Sequence, residues 1–184
     1  MCHSRILIGL LLVLAACADE PSLMSTDAKV LAALTSNEQG ALGTARAATA
    51  RFERFEVAQS AGYTFLFMNR CMVDQSPADR GGMGYHYVRT ALLDDQLDIT
   101  QPEAVLYEPQ ANGRLRLVAL EYVIPADAWT SAEPPELFGR KLTLNAFNLW
   151  ALHVWIWREN PSGLFADWNP RVGCEHDPVG RMSH

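Results

Sequence analysis

The chain has no concentrated run of lysine and arginine, no Gly-x-Ser-x-Gly elbow, no His-Glu-x-x-His and no Cys-x-x-Cys pair. The first absence, with a formal charge of −6 and a pI near 5.3, argues against a nucleic-acid backbone as partner. The second removes the usual hydrolase nucleophile: Ser162 lies in turn chemistry, and Ser76 and Ser131 lie in loops. Gly81-Gly82 and Gly84 lead into Tyr85-His86-Tyr87-Val88, which reads as strand, and no lysine follows in P-loop position, so no phosphate is assigned. There is no internal repeat and no linker dividing the body. What is present, 184 residues at 49% hydrophobic and 20% charged, suits one globular domain with a sizeable core.

The first seventeen residues bear on compartment. Arg5 supplies a positive start, Ile6 to Leu14 an apolar run too short to span a bilayer, and Leu14-Ala15-Ala16-Cys17 follows at once. That tetrapeptide resembles a bacterial lipobox. The resemblance covers only this leader, and it implies removal of residues 1–16, lipid on the Cys17 thiol and acylation of the new amino terminus. The alternative is an ordinary secretory signal with Cys17 incidental. Ala18 rather than aspartate after the cysteine points, by analogy with sorting in Gram-negative envelopes, to the outer membrane facing the periplasm. Processing takes Arg5 and no acid, so the mature chain is more acidic still. Residues 17–25 read as a tether, and residues 26–184 as one domain.

Export would leave two thiols, Cys71 and Cys174, in an oxidising compartment. A disulfide between them closes a loop of about a hundred residues, worth about 4 to 5 kcal/mol on the chain-entropy model. The competing assignment makes Cys71, Cys174 and His176 soft metal ligands.

From Thr26 the pattern is helical. Asp27 can cap Ala28 to Leu34, and Ser36-Asn37-Glu38-Gln39 has capping-box spacing ahead of a second helix to about Ala61, stopped by Gly62. Leu42, Ala45, Thr49, Phe52 and Phe55 form its apolar stripe. That stripe suits packing on a sheet, or the lining of a ligand cavity.

Strands follow. Tyr63 to Met68 is compatible with a first strand and 74–84 with a loop, and Ala104 to Glu108 and Leu115 to Ile124 form a hairpin around Asn112-Gly113. Leu115, Leu117, Ala119, Glu121 and Val123 would share one face, an expensive place for an unpaired carboxylate. Trp150 to Pro170 holds four of the five tryptophans. Read with a period of two, it sets His153, Trp155 and Trp157 on one face and Leu152, Val154 and Ile156 on the other. Helices first and then four or five strands, mainly antiparallel, predict an α+β fold with the N-terminal helices on one face of a curved sheet.

Three polar residues interrupt these apolar strands: His86, Glu121 and His153. Two imidazoles and a carboxylate are a normal set for zinc or another divalent metal with an open position. Alternatively His153 is a general base with Glu121 as partner, in a pocket walled by Trp155, Trp157, Tyr85 and Tyr87, or each histidine is a hydrogen-bonded core residue.

Met83 to Tyr87 and Leu152 to Gly163 resemble secreted bacterial proteins of no assigned function that share Met-Gly-Tyr-His-Tyr and Leu-His-Val-Trp-x-Trp followed by Asn-Pro-x-Gly. That resemblance transfers no activity. Three classes therefore stand open: a lipoprotein binding a metal or small ligand, a metal- or His-dependent envelope enzyme of hydrolase type, and a structural or assembly lipoprotein. Cys17→Ser should abolish membrane association and leave the precursor uncleaved; fractionation and intact mass read both.

Overall fold

Thr35-Ser36-Asn37-Glu38 sets a hydroxyl and a carboxylate three residues apart, and the chain enters its helical layer there. Thr35 Oγ1 accepts from the Glu38 N–H at 3.2 Å and Glu38 Oε2 accepts from the Thr35 N–H at 2.7 Å, which closes a capping box one residue before the Ser36–Gln39 spacing. Helix α1 (Ser36–Thr49) runs into a 3₁₀ turn at Ala50–Glu53 and then helix α2 (Phe55–Ser60). The expected unbroken helix is interrupted: Thr49 Oγ1 turns back to donate to the Ala45 carbonyl at 2.8 Å, and Arg54 is extended. The stripe survives the break, with Leu42, Ala45, Thr49 and Phe52 buried and Phe55 packed against Tyr87 and Tyr107. The computed structural model describes residues 34–178. Residues 1–16, Cys17, the tether and the expected helix from Ala28 lie outside them, apart from Leu34, a buried bend. Among the described residues no helix is long and apolar enough to cross a membrane.

The fold is α+β with the sheet predominating. Its strands are β1 (Phe65–Leu66), β2 (Met72–Val73), β3 (Gly82–Val88), β4 (Ala104–Pro109), β5 (Leu115–Pro125), β6 (Glu136–Leu137), β7 (Arg140–Lys141), β8 (Thr143–Leu144) and β9 (Leu149–Val154). The main sheet has seven strands in the order β1-β3-β4-β5-β9-β8, with β2 also on β3, and β6 and β7 pair apart from it. Every recorded pairing is antiparallel. The excess over four or five strands comes from two-residue strands, too short to carry a period of two.

One face of the sheet meets the helices. Val105, Tyr107, Leu120, Tyr122, Leu152 and Val154 pack there against Leu42, Ala45, Phe52 and Ala58. Tyr107 and Tyr63 donate to the Phe52 and Pro102 carbonyls at 2.7 and 2.8 Å, so buried hydroxyls bolt the two layers together. The opposite face carries a smaller cluster of Leu106, Val118, Ala119, Trp155 and Val172. Two irregularities decide which side chains reach it. At β5 a bulge sets Val118 beyond the register, Leu106 facing Ala119 and Tyr107 facing Leu117. Leu115 and Leu117 thereby join the helix side, and Glu121 shares its face with Ala119 and Val123 rather than with all five residues of the expected row. In β3 Gly84 has φ +85°, and a Cβ there would lie 2.4 Å from the Tyr107 carbonyl oxygen. Met83 and His86 consequently fall on one side of the sheet although they are three apart in sequence.

Cys71 and Cys174 are joined in a disulfide with their Cα atoms 5.8 Å apart, at a sequence separation of 103. Both sulfurs are thereby used, so the Cys71, Cys174 and His176 ligand set does not form. The link ties the C-terminal segment to the start of β2, and beside it Asp177 accepts from the Tyr85 hydroxyl.

Glu103 marks the end of β4 pairing, where its buried carboxylate accepts from the Val123 N–H at 2.8 Å in place of a strand neighbour. Burial pushes its pKa up to about 8. The folded chain therefore holds a proton there that the unfolded chain releases, and stability falls as pH rises from about 4.5 to about 8. Glu103→Gln keeps the acceptor and loses the titration. Urea denaturation should find the variant more stable than the wild type at about pH 8, by on the order of a few kcal/mol, and the gap nearly closed at about pH 5.

Candidate metal centre

Register brings the three polar residues together. Glu121 on β5 stands directly opposite His153 on β9, and on its other side opposite Ala104 on β4. Ala104 is opposite Val88 in β3, two residues from His86. Strands two apart in a sheet lie about 10 Å from one another, so a large residue at position 104 would separate β3 from β5. Alanine leaves the gap that His86 crosses.

The atoms that meet are His153 Nε2 and His86 Nε2, 3.5 Å apart, with Glu121 Oε1 3.6 Å from His153 Nε2 and Glu121 Oε2 3.8 Å from His86 Nε2. All three residues are buried, and one ligand atom from each lies within 4.8 Å of the others. Both Nδ1 atoms lack a hydrogen bond of good geometry. Asp167 Oδ1 stands 3.7 Å from His153 Nδ1, and the Gly84 backbone lies beside His86. Burial pushes the pKa of His86 down to about 4, against the pull of Glu121. Burial acts the same way on His153, but Glu121 and Asp167 together outweigh it and raise its pKa above the ordinary value. Two imidazoles at one point thus differ in basicity because only one has a second carboxylate.

The cluster forms the polar floor of a pocket of about 560 Å³. Phe65, Phe67, Met72, Met83, Val88 and Leu93 wall one part of it, and Val123, Phe147, Leu149 and Ala151 wall more. Phe67 and Phe147 meet edge to face with centroids 5.0 Å apart, and Phe67 also approaches His86.

The expected pocket walls need correction. Tyr85 and Tyr87 alternate with His86 and point the other way; Tyr87 packs on Tyr107 beneath the helices, and both line a separate cleft. Trp157 also leaves the His153 face. The strand ends at Val154, the Trp155 N–H donates to the Leu164 carbonyl at 2.9 Å, and the chain turns. Trp157 Nε1 then donates to Thr49 Oγ1 at 3.3 Å, with Arg46 over its ring. Trp155 does stack on His153, with centroids 6.3 Å apart, but as packing beneath it rather than as pocket wall.

Asp167 and Trp168 line the pocket and were missed from sequence. They sit in the loop after β9, where no period applies. Their position comes from two buried amides: Asn160 Nδ2 donates to the Trp168 carbonyl at 3.0 Å, and Asn169 Nδ2 to the Glu159 carbonyl at 3.1 Å. The two Asn-Pro turns carried that signal, read only as punctuation.

No protein-family model, curated protein or solved structure matches the chain. The chemistry therefore rests on the cluster. In metal-free protein, NMR titration of the imidazole resonances should place His153 above and His86 below the usual histidine pKa. Asp167→Asn should lower the His153 value and leave His86 nearly unmoved.

Proposed function

We propose that the chain is an exported cell-envelope lipoprotein, anchored through Cys17, whose domain binds one divalent cation through His86, Glu121 and His153. The observation that carries this reading is the convergence of three lone-pair donors on one buried point. If each Nδ1 keeps its proton towards Asp167 or the Gly84 backbone, both Nε2 atoms and the Glu121 carboxylate face one another with no hydrogen between them. Such a set is repulsive until a cation, a proton or a metal, stands in the middle.

The spacing leaves room for a cation, and the donor types bear on which. The separations of 3.5, 3.6 and 3.8 Å are long for direct hydrogen bonds. The two Glu121 distances run to different carboxylate oxygens, and one ligand atom from each residue lies within 4.8 Å of the others, a spread that metal bonds of about 2.0 to 2.2 Å would draw in. Two imidazoles and one carboxylate also suit zinc or a similar transition metal better than magnesium or calcium. Asp167 beside His153 Nδ1 is the outer carboxylate that orients a metal-bound histidine.

The envelope part of the reading rests on Leu14-Ala15-Ala16-Cys17 and on the Cys71–Cys174 disulfide, a bond that persists in oxidising compartments. Membrane contact would run through the lipid, at the outer membrane of a Gram-negative cell. Binding has more support than hydrolysis. A hydrolase needs a free general base beside the open position, and apart from the cluster the polar side chains of the pocket are Asp167, Thr143, Asn145 and the Trp168 indole, with Asp167 engaged by His153.

Calorimetric titration of metal-free protein with zinc should give one site per chain, lost in His86→Ala and His153→Ala and weakened about 10- to 100-fold by Asp167→Asn. If the histidines serve only as core, wild-type protein takes up no zinc saturably. Both alanine variants then behave as packing deletions, lowering Tm with no bound metal to lose.

A further inference from the structure

Above the cluster the pocket is mostly apolar, with Thr143, Asn145 and Asp167 as its polar exceptions. Three of its wall residues, Phe65, Leu93 and Phe147, are 52%, 36% and 46% exposed and form a hydrophobic lip at the opening. Large apolar side chains gathered at a cavity mouth mark a place that another apolar body covers. A volume of about 560 Å³ lies within the range of small-molecule sites, about 300 to 1,000 Å³.

The floor sets the head of that body. The three protein ligands rise from one sheet face, so a fourth donor approaches from the pocket. A divalent cation held by two neutral imidazoles and one carboxylate keeps a single positive charge, which one anionic oxygen donor neutralises. Asp167 does not cancel that charge: its side chain is 65% exposed, it faces His153, and it lies in the field of Arg80. A second charged group set against Phe67, Met83 or Val123 would lose its water there without gaining a charged partner.

Resting on the metal reading above, we infer that the ligand is an amphiphilic monocarboxylate, its single acid group bound to the metal at the floor and its acyl or aryl body lying along the apolar wall. Head and body are read by different residues, so they can be tested apart. The full chain is stripped of metal, titrated with zinc, and then titrated with decanoate, decanol, acetate and sebacate. Decanoate should bind the zinc-loaded protein at least about tenfold more tightly than decanol, acetate or sebacate, and at least about tenfold more tightly than it binds metal-free protein. Phe147→Asp, at the lip, should weaken decanoate by about tenfold or more while zinc affinity stays within about twofold; Leu93→Asp is the second lip variant should the first fold poorly. A chain that takes up no zinc removes the metal reading and this inference together. A chain that takes up zinc but binds decanoate no better than acetate or decanol, or equally well without zinc, overturns this inference alone.

Discussion

A buried carboxylate in the middle strand of an apolar sheet must be compensated, and Glu121 is such a group. It lies between β4 and β9, with Ala104 on one side and His153 on the other, so at its own level it meets imidazoles, which compensate it only when they carry a proton or share a cation with it. Replacing a partner by an apolar residue would leave a charge that costs several kcal/mol to keep out of water. That cost ties the register of β5 against β9 to the identity of residue 153. A slip of one residue would put Leu152 or Val154 opposite the carboxylate and turn His153 into the helix-facing core.

Two backbone irregularities make this possible. If Val118 kept a place in the register instead of bulging, the alternation that puts Leu117 under the helices would carry Glu121 there too and turn Leu120 and Tyr122 outward. Without the kink at Gly84, strict alternation would separate Met83 from His86, and with it part of the apolar wall from the floor. In each case a local departure from the period of two lets one strand serve the helical core with one half and the pocket with the other. Their energetic cost falls on ladder hydrogen bonds, and their return is the placement of side chains on the required face.

The sequence was legible where a period or a turn carried the information. The Asn112-Gly113 hairpin, the stripe from Leu42 to Phe55, and the odd polar residues at 86, 121 and 153 all stand out because each departs from or obeys a local rule. It was not legible where geometry is set by distant backbone. Nothing local tells that Trp157 parts from His153 once Leu164 captures the Trp155 N–H. Tyr85 and Tyr87 are a different case, because the period of two already sets them on the face opposite His86. Asp167 belongs with Trp157: it reaches His153 because the amides of Asn160 and Asn169 fold the loop after β9, and a loop has no periodicity to betray which of its residues turns inward. The misplaced capping box is a smaller case, since Thr35 and Glu38 fit the motif as well as Ser36 and Gln39 do.

The cluster is thus assembled from two kinds of part, long strands and the loop after β9. His86, Glu121 and His153 stand on long central strands whose backbone is paired on both sides, so their spacing is fixed by the sheet. Asp167 and Trp168 stand on a loop that touches the sheet through the Gly82–Asn169 bridge, where a Cβ on Gly81 would lie 2.2 Å from the Asn169 carbonyl oxygen. Phe147 is likewise on a short turn, beside Asn148 at φ +60°. A cation would therefore meet donors whose spacing the sheet sets, with little reorganisation to oppose it. The proposed metal site would owe its three donors to strand pairing and its outer carboxylate to the side-chain amides that fold the loop after β9.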